Sequence, residues 1–286
     1  MKKILVTGAN GQLGQCLQKI SSQFEEFEFI FTDSETLDIT NKEEVNDFFW
    51  QNAPDFCINA AAYTAVDLAE TDIEKAFLVN ADGAENLAEA CAENNAQFIH
   101  VSTDYVFDGE NNLAYTEEDF TNPLGVYGAS KLAGDELALE VNPCSVILRT
   151  SWVYSEFGKN FVKTMLNLFA TKEELSIVAD QFGQPTNAND LAEAIMKIIK
   201  SEKITPGIFN FSNLGRISWF DFAEKIAELS EAKIKLNAIE TSQYPTPAKR
   251  PKNSVLDLGK ISKTYAIQLK PWEESLEDCV QILQNN

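Results

Sequence analysis

Thr103, Tyr127 and Lys131 have the types and spacing for proton chemistry at a carbonyl group. Tyr127-Gly128-Ala129-Ser130-Lys131 is a Tyr-x-x-x-Lys segment, and residues four apart share one face of a helix. A lysine ammonium beside a phenol favours the phenolate, so it is expected to lower a phenol pKa that starts near ~10. Tyr127 would then serve as a general acid near neutrality. Thr103 lies in Val101-Ser102-Thr103-Asp104-Tyr105, at the end of an apolar run. Tyr-x-x-x-Lys arises readily by chance, and a strand-end threonine by itself ordinarily bonds its own backbone. Their meaning depends on whether the fold brings them to one place.

A second group of residues could hold the reductant. Thr7-Gly8-Ala9-Asn10-Gly11-Gln12-Leu13-Gly14 follows a short apolar run and opens a helical one. Glycines at 8, 11 and 14 allow a tight turn that brings backbone N–H groups against a pyrophosphate. The positive end of the following helix faces the same anion. The spacing is G-x-x-G-x-x-G rather than the commoner G-x-G-x-x-G, and glycine turns alone are weak signals. Asp33 ends the second apolar run at the distance where a carboxylate accepts hydrogen bonds from an adenosine ribose; the bland alternative is an Asp that caps a turn. Asn59-Ala60-Ala61-Ala62-Tyr63-Thr64 follows the third run, and its small residues permit close approach of a cofactor or simply tight packing. Together these features point to a dinucleotide.

The elements that must position these groups alternate. Short apolar strands are expected at Ile4–Val6, Phe27–Thr32, Phe56–Asn59, Phe98–Ser102 and Val146–Thr150. Helices are expected around Leu13–Ile20, Glu43–Asn52, Ala69–Asn94 and Ser130–Glu140. This βαβ rhythm implies an α/β fold with a Rossmann-type, doubly wound parallel sheet. In such a sheet ligands bind outside the carboxyl ends of the strands, where Thr103, Tyr127 and the glycine turn can converge. After Thr150 the rhythm loosens into helical patterns at Asn160–Ala170, Leu191–Lys200 and Trp219–Glu228, with a strand-like Gly207–Phe211. Three prolines in Tyr244–Pro251 exclude a central helix or strand there. Residues 1–150 are thus expected to form the dinucleotide-binding domain. Residues 151–286 are expected to form a smaller, less regular substrate lobe, some of whose segments return to the first domain.

Bulk properties narrow the function. With 44 acidic against 23 basic residues and a formal net charge of −21, the chain repels nucleic acid and anionic membranes. No apolar run approaches a membrane span. Five scattered cysteines without a Cys-x-x-Cys speak against a disulfide framework or zinc site, and a cytoplasmic protein with reduced thiols is expected. The single histidine, His100, sits inside an expected strand and reads as a core residue; a histidine-based hydrolase triad is unsupported.

Thr7–Gly14, Asn59–Thr64, Ser102–Phe107, Tyr127–Lys131, Arg149–Tyr154, Asp180–Thr186 and Tyr244–Ser254 occur in the order seen in a known family. The chain resembles the dTDP-4-dehydrorhamnose reductases of the extended short-chain dehydrogenase/reductase superfamily. The resemblance implies reduction of a C4 ketone, dTDP-4-dehydro-L-rhamnose to dTDP-L-rhamnose, with NADH or NADPH. It implies that Gly11, Gln12, Leu13, Asp33, Asp38, Ile39, Ala62, Tyr63 and Thr64 line the cofactor, with Gly8 and Gly14 shaping the turn. Thr103, Tyr127 and Lys131 would be catalytic, and Asp104 and Trp152 would touch the sugar nucleotide. Related 4,6-dehydratases follow the strand-end Thr with Asp-Glu; Asp104-Tyr105 here argues against water elimination. Members with a magnesium-bridged dimer use a carboxylate where this chain has Cys16, which disfavours that metal dimer and leaves magnesium dependence and a homodimer open. The alternatives are a non-catalytic nucleotide-binding subunit of the same fold, or a reductase or epimerase of another nucleotide sugar. Lys249, Arg250 and Lys252 concentrate positive charge in an acidic protein. Lys249 and Arg250 are therefore expected to grip the substrate diphosphate, unless Arg250 pairs with a carboxylate that pins its loop.

Overall fold

The computed structural model describes residues 1–285. The first half runs β1 (Lys2–Thr7), α1 (Gln12–Ser21), β2 (Phe27–Phe31), α2 (Lys42–Asn52), β3 (Phe56–Asn59), α3 (Val66–Ala69) and α4 (Ile73–Phe77). A π-helical segment, Leu78–Asp82, leads into α5 (Gly83–Glu93), followed by β4 (Gln97–Thr103), α6 (Val126–Val141) and β5 (Val146–Thr150). The second half runs β6 (Val153–Tyr154), α7 (Phe161–Phe169), β7 (Glu174–Val178), β8 (Phe182–Gly183), β9 (Thr186–Asn187), α8 (Ala188–Ile199) and β10 (Gly207–Asn210). It ends with β11 (Ile217–Ser218), α9 (Trp219–Leu229), β12 (Lys235–Ile239), α10 (Gly259–Tyr265) and α11 (Trp272–Gln284).

Six strands form one parallel sheet in the order β10-β5-β4-β3-β1-β2. Every residue of β3 and β5 is buried, as strands covered by helices on both faces require. Hydrophobic cores lie on both sides: one around Leu17, Leu191, Ile195 and Phe209, the other around Phe49, Leu87, Cys91 and Phe98. From β1 the chain goes outward to β2, then crosses to β3 on the other side of β1. The reversal leaves a crevice beyond the carboxyl ends of β1 and β3, the place where open α/β sheets bind ligands. The glycine turn and Asn59–Thr64 flank that crevice.

Local signals explain several boundaries. Asn41 caps α2 by accepting from the Glu44 N–H at 3.3 Å, and Ser218 and Asp221 form a reciprocal capping box at α9. In the second half, α8 packs on α1 and β10 extends the sheet beside β5, with Phe209 fully buried. Helix α10 packs on β10 through Ile261 and Tyr265, while α7, α9 and α11 enclose their own core of Tyr154, Phe222, Trp272 and Leu276. The proline-rich Tyr244–Pro251 contains neither helix nor strand.

One expectation needs correction, and one strand pair has no counterpart among the expected strands. Ala69–Asn94 is not one helix: it breaks after Ala69, restarts at Ile73 and widens into the π segment. The widened turn carries Asn80, 1% exposed, whose side chain bonds both backbone groups of Tyr63 and the Ser130 hydroxyl. Those bonds replace regular helix with a clamp between the Tyr63 loop and α6. The parallel pair of β7 and β12 was also not anticipated. Neither ELSIV nor KLNAI is a continuous apolar run, and the pairing exists because both strands lie against α9. Among the described residues no helix is long and apolar enough to cross a membrane.

Because β10 and Phe209 complete the main sheet, Phe209→Ala is expected to lower the unfolding free energy by about 3–5 kcal/mol. Urea denaturation measures this; a loss below about 1 kcal/mol, typical of surface changes, would set β10 outside the cooperative core.

Candidate active site

Beyond the strand ends lies a cavity of about 800 Å³. Its wall begins at the glycine turn. Gly8 has φ +67°, and a Cβ there would stand 2.6 Å from the Ala61 nitrogen, so the turn and the Asn59–Thr64 loop touch backbone to backbone only with glycine. Gly11, Gln12 and Leu13 line the cavity, opposite Ala62 and Thr64. The Gln12 side chain reaches into the second half: its Oε1 accepts from Asn160 Nδ2 at 2.8 Å.

The floor is made by β4 and α6. Thr103 is 5% and Asp104 2% exposed, and the Thr103 hydroxyl donates to Asp104 Oδ1 at 3.1 Å. Tyr127 and Lys131, one turn apart on α6, line the same cavity. The structure therefore brings Thr103, Asp104, Tyr127, Lys131 and Trp152 together with the glycine turn.

Electrostatics follow from burial. The Asp104 carboxyl is pushed up to about 7 by loss of water, with the Ser254 and Thr103 hydroxyls opposing the shift. Tyr127 is pushed up to about 12, also by burial, with the Thr103 hydroxyl pulling the other way. The expectation that Lys131 lowers the Tyr127 pKa is thus not met. The Lys131 Nζ is turned toward β4, donating to the Val101 carbonyl at 2.8 Å, and burial is the largest influence on the phenol. Tyr127 is accordingly a protonated phenol, the state a proton donor needs.

Trp152 forms a side wall. Its φ is +46°, an uncommon conformation for a bulky residue, and its indole stacks on Trp219 with centroids 3.5 Å apart and planes 9° from parallel. Gly183 lies against the same ring, where a Cβ would meet Trp152 Cε2 at 2.5 Å. Trp219 and Lys159 also line the cavity. The sequence reading missed both, since a Trp at a helix start and a lone Lys carry no pattern.

The family model described as the RmlD substrate binding domain matches residues 1–285. The chain belongs to the RmlD family. A dTDP-4-dehydrorhamnose reductase of Aggregatibacter actinomycetemcomitans is 45% identical over 97% of this chain and 98% of that protein. A solved dTDP-4-dehydrorhamnose reductase from Clostridium acetobutylicum has TM-score 0.94 at 43% identity, covering 99% of each chain. Another, from Bacillus anthracis in complex with NADP, has TM-score 0.95 at 39% identity, covering 99% of this chain and 100% of that one.

Several residues expected at the site of this RmlD family member lie outside the cavity lining. Gly8 and Gly14 shape the turn behind it. Asp33 stands at the strand end, but its Oδ1 accepts from the Thr36 hydroxyl and the Glu35 and Thr36 N–H groups, and its Oδ2 from Asn10 at 2.6 Å. The Thr36 hydroxyl first, and these other donors, hold its carboxyl below the usual range. It ties the second strand's turn to the glycine turn. Asp38 is exposed and caps its own turn through Thr40, while Ile39 is buried against Gly83. Tyr63 presents its backbone to Asn80 and its hydroxyl to Asp72 at 3.2 Å. Lys249 lines a separate narrow cleft beside Tyr105 and Tyr127. Among the described residues no group of three or more His, Cys, Asp or Glu side chains is arranged to hold a metal. Cys16 is buried, its thiol pushed up to about 12 by loss of water and by the nearby Glu156 charge.

Arg250 corrects the diphosphate expectation. Its guanidinium grips Asp67 with two bonds, Nη1–Oδ1 at 2.6 Å and Nη2–Oδ2 at 2.8 Å, and Nη1 also bonds the Ala248 carbonyl. The fork that would take phosphate oxygens instead ties the proline loop to α3. Arg250→Ala and Asp67→Ala are expected to raise tryptic cleavage after Lys249 and Lys252 several-fold, and the double variant no further, because both remove one interaction. Additive effects in a cleavage time course would show that the pair does not act as a unit.

Proposed function

We propose that this protein is an NAD(P)H-dependent dTDP-4-dehydrorhamnose reductase, acting in the cytoplasm on the C4 ketone of dTDP-4-dehydro-L-rhamnose. One observation carries the reading: a single cavity at the sheet's switch point is lined by the glycine turn and by Thr103, Tyr127 and Lys131 together. The full-length relatives support the same substrate.

When bound, the nicotinamide supplies a hydride to the ketone carbon. The residues of this chain do the rest. Backbone N–H groups of Gln12 and Leu13, in the first turn of α1, would receive the cofactor pyrophosphate, and Ala62 and Thr64 would leave room for its remaining length. Tyr127 donates its proton to the carbonyl oxygen as negative charge develops there, so ketone, hydride and proton together give the alcohol. Thr103 bonds the same oxygen and holds it within reach of Tyr127. Lys131 orients the cofactor ribose. Asp104, on the cavity floor beside Thr103, would accept from a sugar hydroxyl. Trp152, held between Trp219 and Gly183, would offer apolar surface to the deoxysugar. A non-catalytic subunit would not need this complete set.

Tyr127→Phe is expected to retain cofactor binding and lose about 10²–10⁴-fold in turnover. Oxidation of NADH or NADPH on addition of dTDP-4-dehydro-L-rhamnose measures it; turnover within a few-fold of the native enzyme would remove Tyr127 as the acid. Asp33 and Glu35 crowd the adenosine end with negative charge, which suits a free ribose 2′-hydroxyl and disfavours a 2′-phosphate. NADH is therefore expected to serve at least as well as NADPH, and Asp33→Ser to improve kcat/KM for NADPH relative to NADH. A hundredfold preference of the native enzyme for NADPH would contradict this.

A further inference from the structure

His100, the single histidine of the chain, is fully buried in β4 and plays no part in the mechanism above. The hydrogen bonds around it give it a defined chemical state. They start from a donor of unambiguous identity: the backbone N–H of Ala61 donates to Asn59 Oδ1 at 3.1 Å. The Thr7 hydroxyl donates to the same oxygen at 2.8 Å. These contacts decide which end of the Asn59 amide is oxygen, and its NH₂ then faces His100 Nδ1 at 3.0 Å. An amide donor needs an acceptor, so Nδ1 bears the lone pair and, in a neutral ring, Nε2 bears the proton. Nε2 lies 3.0 Å from Lys131 Nζ.

An ammonium has three N–H donors and no acceptor. One of them serves the Val101 carbonyl, and another set against Nε2–H would oppose donor to donor. A neutral amine in the same place accepts the Nε2–H bond. We propose that His100 is a positioning residue that controls the proton of Lys131: held as the Nε2–H tautomer by Asn59, it favours the neutral amine and makes the lysine proton labile.

The surroundings are consistent in sign. From α6, Asp135 favours the ammonium; its Oδ1 lies 3.8 Å from Nε2, beyond hydrogen-bond reach. From β5, Arg149 faces Asp135 at 3.3 Å and offsets its charge. Tyr127 on α6 is a neutral phenol, and Asp104 stands at the end of β4 with its carboxyl pushed up to about 7. Burial brings Lys131 down to about 8, with Asp135 opposing. Burial first, with the Lys131 charge adding to it only while the lysine is protonated, holds His100 well below its ordinary range, so the ring stays neutral. A proton that leaves Lys131 near neutrality can replace the one Tyr127 gives up, with solvent in the cavity restoring it. That consequence for catalysis rests on the reductase reading, whereas the tautomer and the lability do not.

Both are measured on cofactor-free protein, apart from any assay of reduction. With one histidine in the chain, long-range ¹H–¹⁵N spectra of histidine-labelled protein report His100 without ambiguity. The Nε2–H tautomer is expected from pH 6 to 9; an Nδ1–H tautomer or an imidazolium overturns the proposal. The ¹³Cε resonance of Lys131, assigned by its loss in Lys131→Arg, is expected to titrate far below the ordinary lysine range. In His100→Leu the neutral amine loses its donated bond without any change of charge, so the midpoint is expected to rise by a unit or more, tenfold in proton affinity. An unchanged or lower midpoint overturns the proposal, and if His100→Leu fails to fold, the tautomer in the native protein still decides.

Discussion

Everything at the site depends on how α6 is anchored to the sheet, and the anchor is the carboxylate of Asp135. It is 1% exposed, and its Oδ2 accepts from the Ser102 hydroxyl on β4 at 2.9 Å and from Arg149 Nε on β5 at 3.3 Å. Burial raises its pKa while Arg149 and then Lys131 oppose. A buried charge with one partner removed is strongly destabilising, so the helix has one stable seating. Tyr127, Lys131 and Asp135 follow one another at intervals of four on one face. Seating the third at the strands therefore aims the first two at the strand ends, where Thr103 waits.

The same burial sets the chemistry. An exposed Tyr-x-x-x-Lys pair would leave both groups near their ordinary states. Here desolvation moves the phenol upward and the ammonium downward, so burial biases both groups toward their uncharged forms. The hydroxyls of Thr103 and Ser102 and the amide of Asn59 supply the hydrogen bonds that make such burial tolerable. Most of these partners sit in the middle or at the end of β3, β4 and β5, so the sheet's register is also the site's alignment.

Substrate recognition is built on a different footing. The acidic chain sets few cations against an anionic ligand: Lys131 and Lys159 line the cavity, while Arg250 is committed to Asp67. The backbone N–H groups at the start of α1 carry partial positive charge beside the cavity at no cost in side-chain ordering. One side of the cavity is walled by the stacked indoles of Trp152 and Trp219, and the backbone strain of Trp152 is offset by its packing on Trp219 and Gly183.

Much of this was legible in the sequence because it is local. The glycine turn, the βαβ rhythm, the strand-end Thr103-Asp104 and the i, i+4 spacing of Tyr127 and Lys131 are properties of short segments, set by glycine's freedom, by hydrophobic period and by helix geometry. What only the tertiary structure decided involves partners far apart in the chain. Asn80 clamps Tyr63 to Ser130 through a π-helical turn that an Ala-, Glu- and Leu-rich stretch gives no sign of. Arg250 finds Asp67, turning a phosphate-like cluster into a loop anchor. Asp33 and Lys131 kept their places, yet their hydrogen bonds, and with them their protonation and exposure, depend on Asn10, Thr36, Val101 and His100. Periodicity says which face a side chain takes; only the packed structure decides which buried group lies opposite it, and that group sets its charge.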